Sequence, residues 1–371
     1  MDNPFKYGCV VSGDHFCDRD KAEDEIRRFV KAGQNVFVQG ERRMGKTSLV
    51  KKAVSSIKGE RLVYIDLYCI GSQADLCRRI AEGVGRANTS MPFLKRAMSF
   101  ASRLRPTLSF DSENGTPKIS VDSIAAAEPT SLGVVLEMLE KIACDGKTCV
   151  VFDEFQEVNR LEERDQVLAT LRSKVQFLSD TCFVFSGSVR ADMVDIFTDP
   201  RSPFFKSALT LEVSAIPDDD FAAFLLERFM SGRRKADRAF IDMVFERTGR
   251  TTGDVQQLCS AVWNTTERGA RLSEANIRPA LQEIFAQEGS QFESQTARLT
   301  RHQFKMLVAL AKLGGTKIYS SEFKTVAEMP SSAAAAKALK RLVDDGLVYF
   351  FNREYRFFNP FLREWLLSKG Y

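Results

Sequence analysis

Histidine is scarce: His15 and His302 are the only two in 371 residues. They lie far apart with no neighbouring metal-ligand spacing, so zinc centres and Ser-His or Cys-His catalysis have almost no material to work with. The eight cysteines form no C-x-x-C pair, and several sit in apolar runs, where buried free thiols are expected rather than a disulfide framework. No stretch approaches the ~20 apolar residues that cross a bilayer, and the N-terminus lacks a charged segment followed by an apolar core. The expected setting is therefore cytoplasmic, with no membrane partner. A formal charge of +4 is too small to identify a partner, so the place where basic residues gather matters more than their total. The length suggests about two or three domains.

What is present is arranged around residues 40 to 47: Gly40, Glu41, Arg42, Arg43, Met44, Gly45, Lys46 and Thr47 fit the phosphate-loop pattern G-x-x-x-x-G-K-[ST]. A β-branched and aromatic run, Asn35 to Gln39, precedes it, and a helix-compatible run from Ser48 to Val54 follows, so strand, loop and helix come in the required order. Backbone N–H groups of such a loop, through Ser48, face anionic phosphates, and Gly40 and Gly45 permit an approach that a Cβ would obstruct. Lys46 is placed to neutralise the β- and γ-phosphates, and the Thr47 hydroxyl to reach Mg²⁺. ATP and Mg²⁺ are the expected ligands.

The second motif is the apolar strand Thr148 to Phe152 ending in Asp153 and Glu154, two carboxylates at the edge where open α/β sheets bind ligands. This is a Walker B pattern: Asp153 is expected to hold Mg²⁺, and Glu154 to orient or deprotonate the attacking water.

Around these motifs the chain alternates strand and helix signals. Phe5, Phe16 and Arg19 precede the phosphate-loop strand; the segment fits either a purine neighbour or an apolar cover for the sheet edge. A second strand is read at Arg61 to Leu67, followed by an irregular helical region from Gln73 to about Ser102. Alternating runs flank Asn114-Gly115, a hairpin signal. Further strands are read at Thr181 to Phe185, ending in Ser186, Gly187 and Ser188, and at Leu209 to Val213. The expectation is an α/β P-loop fold with a mostly parallel five-stranded sheet. Its core spans residues 1–214, with an inserted hairpin at about 105–122. Helical periodicity then governs a lid at 215–290, and the polar, periodless stretch Gly289 to Gln295 reads as a linker. Helix signals at Thr300 to Leu313, Ser320 to Ala327 and Ser331 to Asp345, and a hairpin over Leu347 to Phe358, suggest a winged helix-turn-helix at 299–371. From Thr300 onward there are 12 basic and 6 acidic residues. Lys337, Lys340 and Arg341 fall on the candidate recognition helix and Arg353 and Arg356 on the wing, where phosphate contacts are expected.

Taken together, the N-P-F-x-Y-G segment (Asn3 to Gly8), Gly40 to Thr47, the D-E-F-Q run (Asp153 to Gln156), Ser202 to Phe205 and Asn359 to Trp365 resemble the prokaryotic, archaeal-type ATPases related to AAA+ and STAND proteins. That resemblance implies an additional strand between the phosphate-loop and Walker B strands, with Glu154 as catalytic glutamate. It also implies a helical lid, a C-terminal winged helix and switching between monomer and homo-oligomer. The chain departs from its relatives with Lys206 where they often carry arginine, and with Arg250 to Thr252 in place of the lid's Gly-x-Pro. Three functions are expected: an ATP-hydrolysing switch coupled to a winged helix that binds DNA or a protein partner; a nucleotide-gated DNA-binding regulator with little turnover; or a structural ATP-binding protein.

Overall fold

Short runs rich in Val, Ile and Phe form the sheet, because side chains of that shape pack on both faces of a buried parallel strand. A computed structural model of the chain describes residues 2–17, 19–87, 106–110, 117–121, 129–144, 146–178, 181–188 and 191–371. Two compact units emerge: Val10–Ala215, and Met1–Cys9 together with Ile216–Tyr371.

In the first unit, α1 (Asp20–Lys31) leads into β1 (Val36–Gly40) and α2 (Lys46–Ser55), then β2 (Arg61–Asp66) and α3 (Gln73–Ala87). A hairpin follows, β3 (Pro106–Phe110) antiparallel to β4 (Pro117–Val121); its expected Asn114-Gly115 turn lies outside the described residues. Next come α4 (Pro129–Cys144), β5 (Thr148–Asp153), α5 (Arg164–Phe177), β6 (Thr181–Ser188), α6 (Ala191–Thr198) and β7 (Leu209–Glu212). Five strands make one sheet in the order β2-β5-β6-β1-β7, with every pairing parallel. The strand between β1 and β5 is β6.

Period-two alternation sorts the strand side chains between two cores. Val36, Val38, Val151, Val184 and Leu211 meet α1 and α2 on one face. On the other, Phe37, Val63, Ile65, Phe152, Phe183 and Phe185 meet α3, α4 and α5. Phe37 stacks on Phe197 with ring centroids 4.5 Å apart, and Phe155 and Phe185 approach to 4.8 Å, so an aromatic cluster stiffens the sheet directly beneath the Walker B turn.

The second unit holds α7 (Asp218–Ser231), α8 (Arg238–Thr248), α9 (Thr252–Thr265), α10 (Ile277–Ala297), α11 (Arg301–Leu313), α12 (Ser321–Ala327), α13 (Ser332–Asp344), the hairpin β8 (Val348–Phe351) and β9 (Glu354–Phe357), and α14 (Pro360–Ser368). Its helix starts are written in the sequence. Thr300, Ser320 and Ser331 each accept a hydrogen bond from the backbone N–H three residues on, which satisfies a donor the first turn leaves orphaned. The β8–β9 turn needs two consecutive left-handed residues; Asn352 (φ 49°) and Arg353 (φ 65°) supply them.

One sequence expectation divides and another gives way here. Of the lead-in aromatics, Phe16 packs against the core on the α1 and α2 face of the sheet, whereas Phe5 is buried in the second unit, its ring 4.6 Å from Phe229 and 6.1 Å from Trp263. Asn3 ties the same segment down by donating to Ser260 Oγ (2.9 Å) and Asn264 Oδ1 (2.9 Å). The linker read at Gly289 to Gln295 is continuous helix within α10. No proline interrupts that stretch, and Gly289 and Phe292 are buried, with Phe292 6.0 Å from Trp365 of α14. Glu288 accepts from both Gln257 (2.6 Å) and Asn359 (2.8 Å). Long-range packing and side-chain bonding hold a helix that local polarity does not advertise. Both tryptophans, Trp263 and Trp365, lie in this unit, so tryptophan fluorescence reports its unfolding alone. Phe292→Ala should lower the stability of that fluorescence-detected transition by about 3 kcal/mol; an unchanged denaturation midpoint would show that α10 does not bind α14 in this way.

Candidate nucleotide site

The phosphate loop leaves β1 at a point where only glycine fits: a Cβ on Gly40 would stand 2.7 Å from the Val213 carbonyl oxygen. Gly45 (φ 82°) then takes a left-handed turn that launches α2, as a loop needs if its N–H groups are to face inward. Lys46 is 6% exposed, and its ammonium donates to the carbonyl oxygens of Gly40 (3.0 Å) and Glu41 (2.7 Å). Burial pulls the Lys46 amine down to about 8, opposed by the charges of Glu154 and Asp153.

Across β6, the end of β5 meets this loop. Thr47 Oγ1 donates to Asp153 Oδ2 at 2.6 Å, and the Tyr64 hydroxyl donates to the same oxygen at 2.5 Å. The Glu154 backbone N–H caps the other oxygen, Asp153 Oδ1, at 3.1 Å. Glu154 itself sits in the left-handed region (φ 53°), which turns its side chain away from the strand direction, and its carboxylate accepts from the Gln156 amide. Glu154 and Asp153 therefore have different partners. The Thr47 hydroxyl and the Asp153 carboxylate are hard oxygen donors at one point beside the phosphate loop, and that donor set suits Mg²⁺.

The remaining expected residues divide by what their side chains do. Met44 is buried and its carbonyl accepts from Arg19 (2.8 Å), whose other nitrogen reaches the Ser214 carbonyl (2.8 Å); burial lowers that guanidinium to about 10. The Ser48 hydroxyl accepts from the Val11 N–H at 3.1 Å, so it anchors the lead-in segment. Arg42 is exposed, Glu41 and Arg43 half-buried. Outside that expected set, Arg201, just before the Ser202 to Phe205 run, is a turn residue, 90% exposed and paired with Asp199 at 2.8 Å. Tyr64 was not singled out in the sequence. Its signal is a phenol at an alternate position of β2, the strand paired with β5; its ring also lies 3.8 Å beneath the Lys51 ammonium. Ser186, fully buried, ends the β6 core, and its hydroxyl has no hydrogen-bond partner among the described residues.

This geometry agrees with comparisons to known proteins. Residues 30–193 match the family described as an AAA domain, and residues 290–368 the family described as a probable winged helix domain. The chain thus carries a P-loop domain of the AAA+ kind followed by a winged helix domain. It is similar over its whole length to solved archaeal proteins. A Walker-type ATPase of Pyrococcus abyssi superposes with a TM-score of 0.66 at 17% identity, covering 98% of this chain and 99% of the other. The ORC1 protein of Aeropyrum pernix, solved in complex with DNA, gives 0.55 at 14% identity over 96% and 94%. The ORC2 protein of the same organism, in ADPNP and ADP complexes, gives 0.55 at 14% over 95% and 94%. At these identities the likeness is one of fold. None of the curated proteins compared with it matches the chain. No described helix is long and apolar enough to cross a membrane.

The depressed Lys46 amine has a consequence for binding. A triphosphate favours the charged amine, so affinity should hold below pH 8 and weaken as pH rises through about 8. Titrating ATP against the chain at pH 7 and pH 9 tests this: Lys46→Arg, which stays charged, should abolish any difference arising at Lys46. An equal loss in that variant would assign the pH dependence elsewhere.

Proposed function

We propose that the chain hydrolyses ATP with Mg²⁺ and that its nucleotide state governs duplex-DNA binding by its winged helix. The observation that carries the first part is the 2.6 Å bond from Thr47 to Asp153. It draws the phosphate-loop helix and the Walker B strand to one point, with Lys46 on one side and Glu154 on the other.

In this reading the loop N–H groups and Lys46 hold the β- and γ-phosphates, and Lys46 exchanges its bonds to the Gly40 and Glu41 carbonyls for phosphate oxygens. Thr47 and Asp153 are the residues that would hold Mg²⁺, which neutralises charge developing on the phosphoryl oxygens. Tyr64 donates to Asp153 Oδ2 independently of Thr47, so it would keep the carboxylate oriented if the Thr47 hydroxyl gave up its own bond. Glu154 accepts the proton of the attacking water at the γ-phosphorus, in line with the departing diphosphate. Domains are assigned as a core at about 10–214, a lid at 215–290 joined by residues 1–9, and a winged helix at 299–371, the last two packed through α10 and α14.

For DNA, the support lies in α13, where Lys337, Lys340 and Arg341 are all exposed, although Arg341 is partly occupied by Asp345 at 3.1 Å. Arg353 is exposed at the wing tip in a left-handed conformation that disfavours a side chain. An arginine kept where glycine would be easier fits a phosphate contact better than a turn requirement. The A. pernix ORC1 protein, of like fold, was solved with DNA.

Glu154→Gln keeps shape while removing the carboxylate: it should bind ATP as tightly as the unaltered chain and lose on the order of a hundredfold or more in turnover. Turnover within twofold of the unaltered protein would refute the assignment. Combined Lys337→Ala, Lys340→Ala and Arg341→Ala should weaken duplex DNA binding and flatten its salt dependence, leaving DNA-free ATP turnover intact. If α13 instead docks a protein or a second copy of the chain, DNA binding will be negligible at every salt concentration and assembly will change.

A further inference from the structure

Gln156 lies two residues beyond the catalytic candidate Glu154, in the tight 3-10 turn Phe155–Arg160 that follows β5. Its side chain is buried, 7% exposed, and is spent on one contact: Nε2 donates to Glu154 Oε2. A carboxylate only accepts, so the amide must present its nitrogen to Glu154 and its oxygen elsewhere. That oxygen, Gln156 Oε1, is buried without a hydrogen-bond partner among the described residues. It points at the tip of β6, where a Cβ on Gly187 would collide with it and would stand 3.0 Å from Met193 Cε. Gly187 is thus bare where Gln156 needs room.

A buried amide oxygen left unpaired is costly, and a glutamine used only to fill space would be better replaced by an apolar chain of equal length. The arrangement makes sense if the N–H end is what the site needs. We infer that Gln156 is a positioning residue for ATP hydrolysis, holding one oxygen of the Glu154 carboxylate so that the other faces the attacking water, and that Gly187 supplies the space for it. The inference rests on the hydrolytic reading given above. Glu154 has a left-handed backbone and stands at a strand end. Neither feature limits its side-chain rotation, so a neutral donor on a rigid turn is the element that fixes it. A neutral donor also leaves the carboxylate its charge, where lysine or arginine would compete with the water for it.

The test separates filling from holding. Gln156→Met matches the length and burial of glutamine without a donor. Positioning predicts that kcat falls on the order of tenfold or more while ATP affinity and thermal stability stay within error. Gln156→Glu replaces the donor with a repelling acceptor and should fall further. Gly187→Ala leaves Gln156 in the chain yet pushes its amide aside, and should reproduce the kcat loss with unchanged KM for ATP. In a Glu154→Gln background, Gln156→Met should cost nothing more, since the two act as one unit. If Gln156→Met turns over ATP like the unaltered chain, or if its loss adds fully to that of Glu154→Gln, Gln156 is a filler and the inference is overturned. If the unaltered chain itself turns over no ATP, or Glu154→Gln loses nothing, the hydrolytic reading fails first, and the inference falls with it.

Discussion

Strand β6 lies between β1 and β5, and that placement sets the gap the nucleotide site must bridge. With one strand interposed, about 5 Å is added between the phosphate loop and the Walker B carboxylates. Thr47 at the start of α2 spans it from the loop, reaching Asp153; Tyr64, on β2 at the opposite side of β5, holds the same carboxylate from outside the gap. Asp153 Oδ2 thus accepts from two hydroxyls on the consecutive elements α2 and β2, 106 and 89 residues before it in the chain. The aromatic cluster of Phe152, Phe155, Phe185 and Phe204 beneath the turn keeps β5 and β6 from sliding, and a slide of one residue would carry Asp153 out of reach.

The same interposition gives β6 a role of its own. Its tip, Ser186 to Ser188, pairs beside the end of β1, with Gly40 opposite Ser188, while Gly187 lies under the Gln156 amide. A movement of the β6 tip would therefore be felt on one side by the phosphate loop and on the other by the group that holds Glu154. Arg19 joins a further pair, the phosphate loop at Met44 and the chain at Ser214, one residue before the first unit ends at Ala215. The phosphate-loop backbone and the backbone that leaves the unit share one half-buried guanidinium.

Much of this was legible in the sequence because the chemistry is local. Gly40 to Thr47 needs consecutive residues to wrap one phosphate chain, and Asp153-Glu154 needs a strand end, so each motif is contiguous. The caps Thr300, Ser320 and Ser331 mark helix starts for the same reason. What was missed depends on tertiary partners. Tyr64 reads as one more strand aromatic until β2 is paired with β5. Phe5 reads as belonging to the P-loop unit it precedes, yet packs on Phe229 and Trp263, more than two hundred residues downstream. The stretch Gly289 to Gln295 has loop polarity, and only burial of Phe292 against Trp365 shows why it is helix. Gln156 belongs to the contiguous D-E-F-Q run, but its use depends on the Gly187 contact from another strand.

The central claim is that Thr47 and Asp153 form one metal-dependent site with the phosphate loop. The most direct measurement is the ATP affinity of the full chain with Mg²⁺ and with the metal chelated, compared with the same pair of affinities for Asp153→Asn. The account predicts that Mg²⁺ tightens ATP binding by the unaltered chain and that Asp153→Asn loses most of that gain while its metal-free affinity is retained. An equal Mg²⁺ enhancement in both proteins would contradict it.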